Sequence, residues 1–222
     1  MRIVVVGLGG IGCALAWPLA QAVASQEPVM LLVDGDRFEE RNRDRQRGVR
    51  GFKAETVADL LRRDSNVRIG HANEFVTRAT IPSVVRERDT VFLCVDNHAT
   101  RKLVSDHAGD LRDVLVISGG NEETDGNVQV FLRRDGRNVT LPLANVFHPE
   151  IQDPQDRNPG EGGCLAAGPQ RLSTNTLVAA WMLAAFDVYR DLTGDPPFDE
   201  IFVDLARGSA RPVLRSAEVL AS

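Results

Sequence analysis

The chain has 222 residues, of which 43% are hydrophobic and 26% charged, as in an ordinary globular domain. Its net charge of -5 argues against nucleic acid as the main partner, because phosphate binding requires a basic face. No apolar run reaches the roughly 18 residues of a membrane span, so no membrane partner is expected. Three cysteines without CxxC spacing exclude a disulfide framework and a four-cysteine zinc site, which predicts reduced thiols and a cytoplasmic location.

Apolar strands alternate with helices along most of the chain. In chain order, the patterns predict a strand over 2–7, a helix over 10–24, a strand over 29–33, a helix over 53–63, strands over 67–72 and 90–95, a helix over 99–107, strands over 114–118 and 127–133, a helix over 173–189 and a last strand over 200–204. This alternation is typical of an α/β fold with an open, Rossmann-like sheet. We expect the sheet to be mostly parallel, with helices on both faces and antiparallel additions toward the C-terminus.

Residues 143–171 interrupt this alternation. Prolines, glycines and acidic residues surround Cys164 there, and a stretch of this length without structure in a compact domain is usually functional or disordered. We therefore predict a mobile loop over 143–171 within a single domain that spans residues 1–222.

A glycine-rich turn follows the first predicted strand. Gly7, Gly9, Gly10 and Gly12 stand between that strand and a helix, the context in which a GxGxxG motif brings backbone N–H groups close to a phosphate. Asp34 ends the second strand, where a carboxylate accepts hydrogen bonds from ribose hydroxyls. Together these residues predict an adenine-nucleotide site. The motif does not distinguish a dinucleotide from ATP, and it is not a Walker loop because no GKS or GKT follows.

The segments that follow favour ATP. In chain order they are Asp34-Gly35-Asp36, Arg41-Asn42, Arg45-Gln46, Lys53, Val95-Asp96-Asn97 with Arg101, Gly119-Gly120, the strand GNVQVF at 126–131, and Cys164 before a long helix. In this order, and over nearly the whole chain, they resemble the ThiF/MoeB/HesA family, the bacterial relatives of ubiquitin-activating enzymes. Each segment alone is weak evidence for the family, whereas the ordered set is specific.

The resemblance implies an activity, the ATP-dependent adenylation of the C-terminal carboxylate of a small ubiquitin-like or sulfur-carrier protein. Two anions meet in such a reaction, so the site must supply cations. By resemblance, Arg45 and Lys53 contact the phosphates, and Asp96, at the end of the fourth strand, holds Mg²⁺, a hard cation that prefers carboxylate and water. Solvated surface charge is the alternative for Arg45 and Lys53, and helix capping for Asp96.

The same resemblance implies further contacts to the nucleotide. Asp34 is expected to hold the ribose, and Asp36 to contact the nucleotide unless it is only a turn residue. Asn42, Gln46 and Asn97 complete the expected cofactor-binding set, with ATP and Mg²⁺ as the cofactors.

Cys164 is the candidate nucleophile for carrying the activated protein onward as a thioester or acyl disulfide. The Leu165-Ala166-Ala167-Gly168 segment after it resembles the family's cysteine segment, and the helix predicted to start near residue 173 is placed to lower its pKa. A free surface thiol is the alternative. Cys13 and Cys94 fall in a packed helix and a buried strand, where thiols are usually inert.

The chain also departs from the family pattern. It lacks the CxxC pairs that hold zinc in many members, and it starts at the first strand, without the N-terminal helical extension that many members carry. These differences predict a short, zinc-less member that forms a homodimer or heterodimer, in which a partner completes the site. Two other functions stay open: an NAD-dependent oxidoreductase, and a non-catalytic nucleotide-binding subunit of a heterodimeric activating enzyme.

Overall fold

The computed structural model describes residues 1–39, 50–161 and 170–215. In this part of the chain, one half of the sheet consists of parallel strands in the order β3-β2-β1-β4-β5. The order of strand addition therefore reverses between β1 and β4, and open α/β sheets bind ligands at the carboxyl ends of the strands at such a point. The strands are β1 (Arg2–Val6), β2 (Val29–Val33), β3 (Arg68–Ala72), β4 (Asp89–Leu93) and β5 (Val114–Asn121).

Helices cover both faces of the sheet. The described helices are α1 (Gly10–Val23), α2 (Lys53–Asp64), α3 (Ile81–Val84), α4 (His98–Asp110), α5 (Pro149–Gln152) and α6 (Leu172–Tyr189). Along β1, Ile3 and Val5 share a core with α1, α2 and α6, whereas Val4 and Val6 share one with α3 and α4. Successive strand residues point to opposite faces, so an all-apolar strand needs this cover on both sides. No helix in the described part of the chain has both the length and the apolar character that crossing a bilayer requires.

Antiparallel strands extend the sheet beyond β5. β6 (Asp125–Arg134) pairs with β5, and the two-residue strand β7 (Arg137–Asn138) pairs with the end of β6. β8 (Glu200–Asp204) pairs with β6, and β9 (Ser209–Val213) pairs with β8. The predicted fold class, a mostly parallel Rossmann-like sheet with antiparallel additions toward the C-terminus, is confirmed.

Four short elements were not predicted. The strand over 200–204 is not the last one, because β9 follows it. The β9 sequence SARPV is largely exposed at an edge of the sheet and shows no apolar alternation, so it carries no strand signal. α3 and α5 have four residues each and β7 has two, which is too short for an apolar period to be recognisable.

The described part of the predicted loop, residues 143–161, packs against α4. The Asp156 carboxylate accepts hydrogen bonds from the first two backbone N–H groups of α4, each with a donor–acceptor distance of 2.7 Å. The buried Asn158 amide donates to the Thr100 hydroxyl at 3.1 Å. These contacts attach the segment to the N-terminus of α4. The mobility expected over 143–171 and the single domain over 1–222 stay predictions.

Candidate functional site

A cleft of about 1050 Å³ opens at the carboxyl ends of the parallel strands. Its near end is formed by the turn between β1 and α1 and by residues that follow β2 and β4, and its far end reaches β6 and β8. Of the predicted site residues that the structure describes, all except Gly12 line this cleft: Gly7, Gly9, Gly10, Asp34, Asp36, Lys53, Asp96 and Asn97.

The turn between β1 and α1 needs two of its glycines for its own folding. Gly7 has a φ of +88°, in the left-handed region that glycine adopts without strain. A Cβ atom at Gly7 would lie 2.8 Å from the carbonyl oxygen of Cys94, and one at Gly12 would lie 2.0 Å from the carbonyl oxygen of Gly7. Gly7 and Gly12 therefore allow the turn to close on itself and on the end of β4.

Gly9 has a different surrounding, because no heavy atom of the described residues other than Gly9 and its two chain neighbours lies within 4 Å of its Cβ position. Its backbone borders the open space of the cleft. Gly9 is also the N-cap residue of α1, where no side chain caps the helix and the first turn holds no acidic residue. Uncapped N–H groups and the helix dipole attract anions, so the N-terminus of α1 at Gly9 is suited to an anion, and a phosphate there stays a prediction.

Asp34 joins the end of β2 to the glycine turn. Its carboxylate is buried and accepts hydrogen bonds from the backbone N–H groups of Leu8 at 2.5 Å and Asp36 at 2.8 Å. Burial raises the pKa of Asp34, and the nearby Lys53 ammonium opposes that rise. Asp34 therefore has a structural task in the cleft, and its expected contact to ribose stays a prediction.

Lys53 is the first residue of α2, and its side chain is 9% exposed. Its Nζ lies 2.9 Å from Oδ2 of Asp36, a carboxylate that is 55% exposed. Burial disfavours the charged ammonium, but the attraction of Asp34 and Asp36 outweighs it and raises the pKa of Lys53. A buried, protonated lysine thus lines the cleft, and its contact to phosphate stays a prediction.

Asp96 follows β4 and is exposed in the cleft. It forms no hydrogen bond or ion pair with the described residues. Its neighbour Asn97 caps α4 instead, since Asn97 Oδ1 accepts from the backbone N–H of Thr100 at 2.8 Å. The capping alternative for Asp96 therefore does not describe this structure, and its carboxylate is available to a cation.

Arg101 lies one turn into α4, and the sequence assigned it no role. Its buried guanidinium donates to the carbonyl oxygens of Val95 at 2.9 Å and Gly119 at 3.0 Å, and to the Ser118 hydroxyl at 3.1 Å. Burial lowers the pKa of Arg101. Because it joins the ends of β4 and β5, Arg101 positions the strand end that carries Asp96. Its place after the Val95-Asp96-Asn97 segment was the available signal.

Several predicted site residues lie outside the described part of the chain, namely Asn42, Arg45, Gln46 and Cys164. The other two thiols, Cys13 and Cys94, are buried. Burial raises the pKa of Cys94 to about 12, so this thiol is not a nucleophile at neutral pH.

The far end of the cleft holds an ionic cluster, centred on the buried side chains of His148 and Glu200, that the sequence did not predict. His148 lies between Glu150, 2.8 Å from its Nδ1, and Glu200, 3.0 Å from its Nε2. Glu200 also accepts from Asn127 at 2.8 Å and pairs with Arg215 at 2.7 Å. Burial disfavours the imidazolium, but the two glutamates outweigh it and raise the pKa of His148. These partners are far apart in the chain, so no local pattern reveals them.

Within residues 1–39, 50–161 and 170–215, no group of three or more His, Cys, Asp or Glu side chains could hold a metal ion by itself. Mg²⁺ does not need such a group, because proteins usually hold it through one or two carboxylates together with phosphates and water. The exposed, unpaired carboxylate of Asp96 fits that donor set.

The fold and the cleft define a Rossmann-like α/β domain with a glycine turn at its cleft. Comparisons with known proteins identify the family within this class. The ThiF family model matches residues 1–197. The chain is 30% identical over 194 residues to the adenylyltransferase and sulfurtransferase MOCS3 of Drosophila ananassae, covering 84% of this chain and 40% of that protein. It is 31% identical over 153 residues to the molybdopterin-synthase adenylyltransferase of Escherichia coli, covering 66% of this chain and 59% of that protein.

Solved structures show the same fold. Escherichia coli MccB with ATP has a TM-score of 0.73 and 18% identity, over 97% of this chain and 64% of that one. A crystal structure of PaaA has a TM-score of 0.70 and 19% identity, over 97% of this chain and 64% of that one. This chain belongs to the ThiF family, as its sequence predicted. It spans less than two thirds of the length of each of these relatives.

Proposed function

We propose that this chain uses ATP to adenylate the C-terminal carboxylate of a small ubiquitin-like or sulfur-carrier protein. A carboxylate oxygen bonds to the α-phosphorus, the bond to the bridging oxygen breaks, and its electron pair leaves with pyrophosphate. The supporting observation is that one cleft contains the open turn at Gly9, the buried ammonium of Lys53 and the unpaired carboxylate of Asp96. A hydride-transferring oxidoreductase has no use for a carboxylate reserved for a cation, whereas phosphoryl chemistry depends on such charge stabilisation.

The residues of the cleft contribute according to their charge. The N-terminus of α1 at Gly9 and the ammonium of Lys53 attract the phosphates. Asp34 and Asp36 stand at the end of β2, where acids bind ribose in Rossmann folds. By family resemblance, Arg45 adds a guanidinium on the phosphates, and Asn42, Gln46 and Asn97 complete the nucleotide contacts.

Magnesium belongs to this proposal, with Asp96 as its protein ligand. When bound, Mg²⁺ offsets the negative charge of the phosphates. The chain prepares Asp96 for this task in two ways: Asn97 and Asp156 cap α4 in its place, and Arg101 holds the carbonyl of Val95 directly before it.

The names of the relatives support a protein or peptide substrate. One relative is a molybdopterin-synthase adenylyltransferase, and solved structures of MccB include complexes with MccA. The cleft continues beyond Asp96 to Asn127 on β6 and Phe202 on β8, which leaves room for an extended carrier tail. The proposal includes a homodimer or heterodimer, a cytoplasmic location, and Cys164 as the acceptor of the activated carrier.

Exchange of radiolabelled pyrophosphate into ATP, with a ubiquitin-like protein ending in Gly-Gly as the carboxylate, tests the proposal. Wild type is expected to catalyse exchange that depends on both the carrier and Mg²⁺. Asp96→Ala and Arg45→Ala are each expected to reduce exchange on the order of a hundredfold or more, because each removes a preorganised charge from the reacting phosphates. Asp110→Ala is the matched control, since Asp110 is exposed at the opposite end of α4.

Other outcomes point to the other functions. Tight binding of ATP without exchange by any Gly-Gly carrier supports a non-catalytic subunit. Tight binding of NAD without binding of ATP supports an oxidoreductase. Full exchange by Asp96→Ala contradicts the assignment of Asp96 as the magnesium ligand.

A further inference from the structure

Helix α6 carries apolar side chains on the side that faces away from the sheet. Residues 172–186 contain no charged side chain. A surface helix normally has a polar outer face, and a helix that is apolar all round is normally buried. The side chains of Leu172 and Val188 are nevertheless 53% and 39% exposed. We call the outer face of α6 the series of exposed residues at every fourth position, namely Leu172, Thr176, Ala180, Ala184 and Val188.

The two tryptophans of the chain lie on the same side of the sheet as this face. Trp181 of α6 and Trp17 of α1 are both partly buried, and they pack against the core that α1, α2 and α6 share. α6 lies directly on α1, where Asn175 meets Gly10. Tryptophan is enriched among the residues that contribute most to protein–protein binding. An apolar face without charge, with tryptophans on the same side, has the composition of the centre of a protein interface.

A membrane does not explain this face. In residues 1–39, 50–161 and 170–215, no helix is long and apolar enough to cross a bilayer. A helix that lies on a bilayer is rich in lysine and arginine on its polar side, and residues 172–186 contain neither. A protein that covers the face must therefore bring an apolar surface of its own. The outer face of α6 is itself such a surface, so a second copy supplies it through two-fold symmetry.

The charges at the ends of α6 favour an antiparallel arrangement of two copies. If the two helices cross at Ala180, in the middle of α6, residues equally far from Ala180 on its two sides lie opposite each other. Leu172 of one copy then meets Val188 of the other, and the exposed Asp187 meets Ser173. At the N-terminus of α6 no side chain caps the helix, and its first turn holds no acidic residue. A carboxylate is favourable at such an end, so the two copies are complementary in charge.

We propose that the outer face of α6, with Trp17 and Trp181 on the same side, binds the same face of a second copy, antiparallel across a two-fold axis at Ala180. The short side chains of Ala180 and Ala184 allow the two helix axes to approach closely. The inference specifies the dimer of the proposed function as a homodimer and names its interface. It does not depend on the adenylation step.

Sedimentation velocity over a range of protein concentrations tests the interface. Wild type is expected to sediment as a dimer and to dissociate on dilution, with a red shift of tryptophan fluorescence as Trp17 and Trp181 meet water. Ala180→Glu and Ala184→Glu each place an unpaired carboxylate in the contact, which should raise the dissociation constant on the order of a hundredfold. Both positions are exposed in the single chain, so both variants should fold, as circular dichroism checks. Ala206→Glu is the matched control, because Ala206 is an exposed alanine in the turn after β8.

Disulfide cross-linking tests the position of the axis. In a Cys164→Ser background with a mild oxidant, Ala180→Cys is expected to form a covalent dimer, because residue 180 meets its counterpart at the axis. Thr176→Cys should not, since two residues 176 lie about 12 Å apart along the antiparallel helices, and a disulfide requires Cα atoms within about 7 Å. Cross-linking of Thr176→Cys but not of Ala180→Cys would contradict this axis.

Two further results would overturn the interface itself. One is a wild type that stays monomeric at every soluble concentration, whatever else binds to α6. The other is a dimer that neither Ala180→Glu nor Ala184→Glu weakens more than Ala206→Glu does. Pyrophosphate exchange is measured separately from mass, so exchange by a monomeric wild type would contradict this interface and leave the proposed adenylation intact. A dimer without exchange would do the reverse.

Discussion

The two ends of the cleft contain ionic clusters of opposite character. At the glycine turn, Lys53 pairs with Asp36, whose carboxylate is more than half exposed. At the far end, the carboxylate of Glu200 is buried and is shared among His148, Arg215 and Asn127. The first cluster keeps charge at the surface of the cleft, whereas the second satisfies its charges internally. Charge left available in a cleft indicates ligand binding, and charge satisfied inside a protein indicates a structural connection.

The positions of the clusters in the fold support this division. The Lys53 cluster lies at the end of β2, where a parallel sheet binds ligands. The His148 cluster connects the 143–161 segment to β6 and β8 of the antiparallel half. That segment also supplies Asp156 to the N-terminus of α4. Removing the far cluster should therefore reduce stability and leave the affinity for nucleotide largely intact.

The largest change in the free energy of unfolding is expected at the cluster of Lys53, Asp34 and Asp36 beside the glycine turn, the near cluster. Lys53→Met removes the cation that attracts the buried carboxylate of Asp34, and leaving a buried charge without its compensating partner is strongly destabilising. We expect the free energy of unfolding, measured with urea, to fall by about 3 kcal/mol. Affinity for ATP should fall as well, because Lys53 lines the cleft.

A double variant separates the charge effect from a packing effect. If the loss arises from the unpaired carboxylate, Asp34→Asn combined with Lys53→Met should cost less than the sum of the two single changes. Additive losses, or a loss below about 1 kcal/mol for Lys53→Met, would contradict the description of the near cluster as a coupled group of charges.

A substitution in the far cluster, at His148, is expected to reduce the free energy of unfolding by a smaller amount, which should depend on pH. Glu200 and Glu150 raise the folded-state pKa of His148 above its ordinary value of 6.5. The stability that the protonated His148 gives the folded protein is therefore fully present below about pH 6.5. It is lost as the pH rises through the raised folded-state pKa of His148. Near pH 6, His148→Gln should lower the free energy of unfolding by about 2 kcal/mol, the value of a hydrogen bond between charged groups. Above the folded pKa of His148, the difference from wild type should be smaller.

His71→Gln is the control, because His71 is exposed. It should change the free energy of unfolding by no more than about 0.5 kcal/mol, as is usual for a substitution at the surface. A His148→Gln variant that stays equally destabilised at every pH would show that His148 contributes by packing and not as an imidazolium. A large loss of ATP affinity in that variant would contradict the separation of the two ends.

The parallel half of the fold and the residues at the glycine-turn end of the cleft could be predicted because their signals are local. The apolar run of β1, the glycines after it and Asp34 at the end of β2 lie within consecutive segments. Contacts made by distant residues leave no such pattern. Asn175 meets Gly10 where α6 packs against α1 on one face of the sheet, and His148 meets Glu200 only after the chain has returned to β8. Such pairs follow from the tertiary fold, which periodicity does not report.

The smallest change in the free energy of unfolding is expected at Lys102, the second lysine of the chain, which serves as the exposed counterpart of Lys53. The chain has two lysines, Lys53 in the lining of the cleft and Lys102 on α4. Lys102 forms an exposed pair with Asp106 one turn along α4, at 3.1 Å. Exposed pairs of this spacing contribute about 0.3–0.5 kcal/mol. Lys102→Ala should therefore change the free energy of unfolding by no more than about 0.5 kcal/mol and leave ATP affinity unchanged, in contrast to Lys53→Met. An equal effect at both lysines would mean that burial in the cleft does not distinguish them.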